Sequence, residues 1–309
     1  MNAKPILLHA DWSSSPSGRA LAIAVPGAGR WRVDHLFSPV SDAWLLRLLA
    51  GLPKPVLFGM DLPLGVPEAY ARRLGLGSFR ELLERLDGPD FADFGRPATT
   101  PTEISLHRPF YPAAAGGTRQ AHLVEGLGLK GPRELRRRCE RATALHLAAA
   151  PLFWTMGPQQ VGKAALAAWY GVIRPALRDM DATLWPFDGD FDDLLSQGGP
   201  VFAETYPSIV RRRLAPRHGD LPLHMAHNRQ RIAAEAWARF TTLDLAPQIV
   251  AEAEAGFATP DLFDGFMGLL GMIRLVEDGW EPPPPPSPWI GIEGWMLGLA
   301  ASELREPVN

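Results

Sequence analysis

The sequence predicts an α/β protein. Its mixed sheet is entered through three antiparallel strands, a helix and a fourth strand, interrupted by a large, mostly helical insertion, and completed by a further strand and helices. Three observations predict this. Apolar runs separated by turn residues fill positions 6–37. PVLFGMD (55–61) is a short apolar run suited to a strand covered on both faces. After a long stretch of helical periodicity, GGPVFAETYP (198–207) restores a strand signature.

The elements follow in order. ILLHADW (6–12) reads as a strand, SSSPSG (13–18) as a turn, and RALAIAV (19–25) as the returning strand of a hairpin. After the turn PGAG (26–29), WRVDHLF (31–37) puts Trp31, Val33, His35 and Phe37 on one face and so makes a third strand. Ser41 suits the N-cap of a helix through DAWLLRLLAGL, stopped by Gly51 and Pro53, before the strand at 55–61. PLGVPEAYARRLG and SFRELLERL (78–86) read as short helices, followed by Pro- and Gly-rich loops. Longer helices are expected at 133–150 and 163–177, and, beyond the strand at 198–207, at 225–241, 246–255 and 260–277. The run EPPPPPSP (281–288) is a stiff spacer that returns WIGIEGWMLGLAASEL to the body. The expected organisation is a core of residues 1–61 and 198–309 with an insertion at 62–197.

Composition sets limits on function. The 309 residues are 46% hydrophobic and the mean hydropathy is -0.05, values of an ordinary globular chain with a sizeable core. A net charge of -3 and a pI near 6.3 give no global attraction to nucleic acid, so any such contact must come from local patches. The single cysteine, Cys139, excludes an intramolecular disulfide. The apolar run before Asp11 is too short for a signal peptide, and no run reaches the roughly 20 residues of a membrane span. The longest candidate, 264–276, is broken by Gly265, Gly268, Gly271 and Arg274. A cytoplasmic location with no membrane partner is expected.

Acidic residues stand where strands end or a helix begins: Asp11, Asp61, Glu204, and the pair Asp261 and Asp264 in TPDLFDGFMGLLG. Adjacent strands can gather the first three at one sheet edge, and a spacing of three puts the last two on one helix face. Carboxylates gathered in one crevice either raise their pKa values or hold a divalent cation, and hard oxygen ligands suit Mg²⁺ or Mn²⁺. Two such ions can activate water and stabilise the leaving oxygen in phosphodiester cleavage. The same residues also suit local roles, with Asp261 in the first turn of a helix capped by Thr259 and Asp11 capping the serine turn.

The order βββαβ, insertion, β, α, with an Asp in the first strand, an acid ending the fourth and a late helical DxxD, resembles the ribonuclease H-like fold. Within it, HADWSSS, GMDLPLGVP, FAETYPS, TPDLFDGFMGLLG and EGWMLGL resemble domain-of-unknown-function family 429, which is assigned nuclease activity from its sequences. The resemblance runs from Ile6 to Leu299. It implies a metal-dependent nuclease centre with catalytic Asp11, Asp61, Glu204 and Asp264. Asp11, Asp61 and Asp264 are its principal metal ligands, with Glu204 and Asp261 as additional ones. The late DxxD is also similar to that of Holliday-junction resolvases, although Asp61 stands where those enzymes place a Glu.

Other motifs compete. GPQQVGKA (157–164) has P-loop spacing, but Ala164 replaces the hydroxyl residue that would hold Mg²⁺. Lys163 at a helix start still suits a substrate phosphate. The basic runs RELRRRCERA (133–142) and IVRRRLAPRHG (209–219) are either solvated helix faces or tracks for a nucleic-acid backbone. Arg211 and Arg212, close after Glu204, are the candidates for phosphate contact. His224 and His227 lack a third ligand at zinc-like spacing, and Cys139 lacks a partner for redox or nucleophilic work. Trp154, Trp169, Trp185 and Trp237 suit core packing or base stacking. Two further functional classes stay open. DWSSSPSGR loosely fits the phosphate-holding turn of sugar kinases and actin-like ATPases, and a non-catalytic binding module would keep the carboxylates only as caps.

Overall fold

A computed structural model describes residues 4–143, 147–156, 161–279 and 287–304. Its strands are β1 (Ile6–Asp11), β2 (Ala20–Gly27), β3 (Arg30–Val33), β4 (Leu36–Phe37), β5 (Val56–Asp61), β6 (Thr183–Trp185), β7 (Pro200–Glu204) and β8 (Leu243–Leu245). They form one mixed sheet in the order β6-β7-β5-β1-β2-β3-β8, with β4 also beside β2. Strands β1, β2 and β3 are antiparallel neighbours, whereas β5 and β7 run parallel to β1.

Two layers of helix cover this sheet. On one face lie α1 (Asp42–Gly51) and most of the insertion, with α2 (Glu68–Leu74), α3 (Phe79–Arg85), α4 (Gln120–Gly126), α5 (Val161–Ala168) and α6 (Arg174–Asp179) along it, while Phe191 and Leu194 of α7 (Phe191–Ser196) join the core of the other face. Leu8, Phe58 and Phe202 of the sheet pack there against Leu45 and Leu49 of α1 and Phe79 and Trp169 of the insertion. On the other face lie α8 (Pro207–Leu214), α9 (Ala226–Trp237), α10 (Pro247–Ala255) and α11 (Pro260–Glu277), whose apolar side chains cover Leu7, Leu57 and Val201. After α12 (Ile290–Glu293) the final segment rejoins the body, where Leu297 N–H donates to Glu204 O at 2.8 Å. No helix among the described residues is long and apolar enough to cross a membrane.

Several expectations need correction. The expected third strand is two pieces, β3 and β4. Val25 pairs with Arg32, but Ala22 pairs with Leu36, a one-residue slip in register of the kind a bulge introduces. Strands β6 and β8, three residues each, give too short a pattern for periodicity to reveal, and β6 comes from within the insertion. The segment 133–150 is not a helix in its described part, which holds only 3-10 turns at Pro132–Leu135 and Arg138–Glu140. Its Arg and Ala content favours helix, but Arg137 and Glu140 are drawn inward into buried ion pairs, and tertiary contacts outweigh propensity. The insertion is accordingly less helical than expected. The helix expected at 163–177 is α5 and α6 joined through a π-helical turn at Trp169–Ile173. Most of the proline run, residues 281–286, lies outside the described residues.

Helix α11 lies unusually close to the sheet, and glycine is the reason. A methyl added at Gly268 would collide with the His9 imidazole, one at Gly271 with Val210 of α8, and one at Gly59 would sit 2.6 Å from Met272 Sδ. His9, fully buried on β1, is pinned from both sides. Its Nδ1–H donates to Gly265 O of α11 at 3.1 Å, and its Nε2 accepts from Thr205 Oγ1–H at 2.8 Å. Burial drops the imidazole to about 3, so it stays neutral and keeps that tautomer. Gly268→Ala is expected to cost about 1–3 kcal/mol in urea unfolding, as overpacking of a filled interior does, and to weaken whatever the start of α11 binds.

Candidate metal centre

Side-chain alternation decides which acids meet. Asp11 and Asp61 end β1 and β5 and are directly paired in the parallel register, so their Cα atoms sit about 4.8 Å apart on the same sheet face. That face, shared with His9 and Gly59, is the one α11 covers. Thr259 caps α11 by accepting from Leu262 N–H at 3.1 Å. Asp261 follows in the first turn and Asp264 one step later, and both enter a cleft also lined by Asp11 and Asp61.

The cleft has a volume of about 730 Å³. Ser13, Ser14 and Gly18 of the β1–β2 turn form part of its wall, together with Trp12, Tyr206 and Ser208 at the start of α8, and Arg211. Arg19 holds the serine turn in place. Its guanidinium donates to Ser13 O at 2.6 Å and Asp42 Oδ1 at 2.5 Å, and lies 4.0 Å from the centre of the Trp12 ring. The turn is therefore more than a chain reversal.

Electrostatically the cluster is frustrated. Burial pushes the Asp11 carboxyl well above the ordinary range, and the charges of Asp61, Asp264 and Asp261 add to the rise. Burial raises Asp261 as well, and its interaction with Asp11 opposes that rise. Asp61 is raised by burial, then by Asp264 and Glu204, with Arg211 opposing. Asp264 is pushed up to about 6 by burial, against the opposing charge of Arg211. Tyr206 rises to about 12, first through burial and then through Asp61, so its phenol remains a neutral donor.

A divalent cation would relieve this frustration, and the donor set suits one. Asp264 Oδ1 is buried without a hydrogen-bond partner, and Arg211 Nη1, at 3.9 Å, is too far away to provide one. Four carboxylates offer only hard oxygens, the donors of Mg²⁺ and Mn²⁺. Among the described residues no group of three or more His, Cys, Asp or Glu side chains is pre-assembled as a metal cage. An ion would have to draw the carboxylates inward.

Glu204 does not join them. It pairs with Met60 in the β5–β7 register, one position before Asp61, and so points to the opposite sheet face. There it is buried and held by Arg137, whose Nη1 and Nη2 donate to Oε2 and Oε1 at 2.7 and 2.6 Å. Leu64 N–H donates to Oε2 as well, at 2.8 Å. Both carboxylate oxygens are occupied, which removes Glu204 from the proposed ligands. Within the first basic run, Arg137 and Arg138 are thus turned to carboxylates of the protein itself. Arg137 also binds Glu140, and Arg138 binds Glu68 and Glu293 and lies over the Trp289 ring.

The substrate-binding candidates divide. Arg211 lines the cleft, anchored by Nε donating to Gly219 O at 2.9 Å. Arg212 turns away to Asp220 and Ser208. Lys163 is not part of the cleft wall, although Val161 and Ala164 of the same helix are. Residues 157–160 of the P-loop-like motif lie outside the described residues. His224 and His227 are exposed, and Cys139 is fully buried, with its thiol pushed well up by burial. Trp169 and Trp185 are core residues, the first donating to Pro63 O and the second stacked on Phe191. Sequence reasoning passed over Trp12, Tyr206 and Ser208. Their adjacency to Asp11 and to the start of α8 was the available signal.

No family model matches this chain, and neither a curated protein nor a solved structure matches it.

Two outcomes are expected. Protonation of Asp264 is favoured in the fold, with a carboxyl near 6 against an ordinary value of about 3.9 in the unfolded chain. The stability this provides is complete below about pH 4 and is lost as pH rises through about 6. Asp264→Asn should therefore flatten the pH dependence of urea unfolding in that window and stabilise the metal-free protein at neutral pH by on the order of 2 kcal/mol. Glu204→Gln should instead cost roughly 3–5 kcal/mol, as breaking a buried ion pair does, while the folded variant keeps its affinity for Mn²⁺. Lost Mn²⁺ binding at unchanged stability would return Glu204 to the ligand set.

Proposed function

We propose that the protein is a Mg²⁺- or Mn²⁺-dependent phosphodiester hydrolase of the ribonuclease H-like type, acting on a nucleic acid or nucleotide. The observation that carries this reading is the convergence of Asp11, Asp61, Asp261 and Asp264 on one open cleft that also contains Arg211. The strand order β3-β2-β1-β5-β7 supports it. The first three strands are antiparallel and the next two parallel, with carboxylates ending β1 and β5 and a DxxD opening a helix across them.

In this reading Asp11, Asp61 and Asp264 hold the cation and Asp261 completes the set. Once bound, a divalent cation supplies Lewis acidity at phosphorus-bound oxygen and lowers the pKa of water. The guanidinium of Arg211, fixed through Nε, turns its remaining N–H groups to a phosphate oxygen. Tyr206, whose phenol is neutral at working pH, lines the same cleft. Hydrolysis forms a bond from water oxygen to phosphorus and breaks one P–O ester bond. The water proton ends on the leaving alcohol and a phosphomonoester remains.

A nucleotide-binding phosphotransferase is the second reading, favoured by the presence of Ser13, Ser14 and Gly18 in the cleft wall. Saturable ATP binding would support it over hydrolysis.

Calorimetric titration of Mn²⁺ into wild type and Asp11→Asn tests the first reading. Uptake by wild type and a loss of at least about tenfold in affinity, some 1.4 kcal/mol, in the folded variant is expected. Equal binding by both would remove Asp11 from the centre.

A further inference from the structure

The hydrolase reading leaves the size of the substrate open, and the inference drawn here rests on that reading. Positive charge is scarce at the cleft. Among the described residues lining it, four aspartates face a single cation, Arg211. Arg137, Arg138, Arg212 and Arg213 do not supplement it, because each binds a carboxylate of the protein itself, and Arg136 donates through Nε to Ala149 O at 2.7 Å without entering the cleft lining. Arg229, whose charge reaches Asp264, has its guanidinium committed to the carbonyls of Gly256, Leu223 and Phe257. A duplex carries one charge per roughly 1.7 Å of axis, and its binding sites are marked by basic stripes that neutralise several phosphates. One arginine matches one phosphate.

The shape of the cleft agrees with its charge. A volume of about 730 Å³ falls in the ~300–1,000 Å³ range of sites that enclose a small molecule. The walls come from the serine turn, the starts of α5 and α8, and residues 149–150, so the carboxylates lie in a recess with insertion residues on its rim. Trp12, next in sequence to Asp11, also contributes to the wall, with its indole buried in the core of the opposite sheet face.

We propose that the cleft takes a small phosphodiester of about dinucleotide size, with its one phosphate on Arg211, and does not take a duplex or a long strand. The test uses the full chain loaded with Mn²⁺. A dinucleotide diester, a single strand of about twenty nucleotides and the matching duplex are compared, with tryptophan fluorescence reporting binding and product release reporting cleavage. The dinucleotide should bind at least about tenfold more tightly than either polymer, and its log Kd against log salt should have a slope near one. Arg211→Ala should weaken dinucleotide binding about tenfold without weakening Mn²⁺ binding, and Arg211→Lys should recover part of the loss. Equal or tighter binding of the duplex or strand, or a slope of several charges, would overturn the proposal, as would failure of all three probes to bind. Preferential dinucleotide binding with no cleavage of any probe would leave the size assignment standing and refute the hydrolase reading.

Discussion

The close approach of α11 to the sheet is the constraint on which the candidate site depends. Four carboxylates repel one another and resist burial, so nothing local would gather them. They are held because Phe263, Phe266, Met267, Leu269, Leu270 and Ile273 of α11 are buried against the sheet and its flanking helices. Each such side chain contributes about 1.5–3 kcal/mol of burial, which together exceeds the few kcal/mol lost in raising the carboxyl pKa values. The glycine at position 268 lets that burial occur at short range. The neutral His9 bridge to Gly265 O and Thr205 then fixes α11 along β1, and with it the position of Asp264 over Asp11.

The two sheet faces carry different tasks. The α11 face gathers four carboxylates against the single cation of the cleft wall, Arg211, whereas on the opposite face the buried charges of Arg137, Glu140 and Glu204 are paired with one another. Arg137 there ties Glu204 on β7, Glu140, Leu64 O and Glu293 O into one network, joining the insertion, the sheet and the C-terminal segment. Breaking one member would strand its partners in a medium of low dielectric, so this network demands a single arrangement of the insertion. The insertion that walls the cleft is thereby registered to the strands that end in it.

Much of the site was legible in the sequence because it is written in local terms. Asp11 and Asp61 end apolar runs, and Thr259, Pro260, Asp261 and Asp264 spell a capped helix start with two acids at a spacing of three. Those signals need only alternation and capping to be read. Glu204 was misread because a strand end was treated as a position without a face. Its pairing with Met60 rather than Asp61 reverses its direction, and register between distant strands is not a local property. Arg212 was misread, and the partners of Arg137 and Arg138 were left open, for a related reason. A basic run looks the same whether its partners are phosphates or the carboxylates of Glu204, Glu293 and Asp220. The edge strands β6 and β8 carry three residues each, too few to show a period.

This frustrated carboxylate cluster is suited to neutralisation by a cation. Anomalous diffraction from crystals soaked in Mn²⁺ tests it most directly. The account predicts a peak among the carboxyl groups of Asp11, Asp61 and Asp264, with those side chains drawn toward it and Glu204 still on Arg137. Full carboxylate exposure to millimolar Mn²⁺ with no peak in the cleft, or a peak on Glu204, would contradict it.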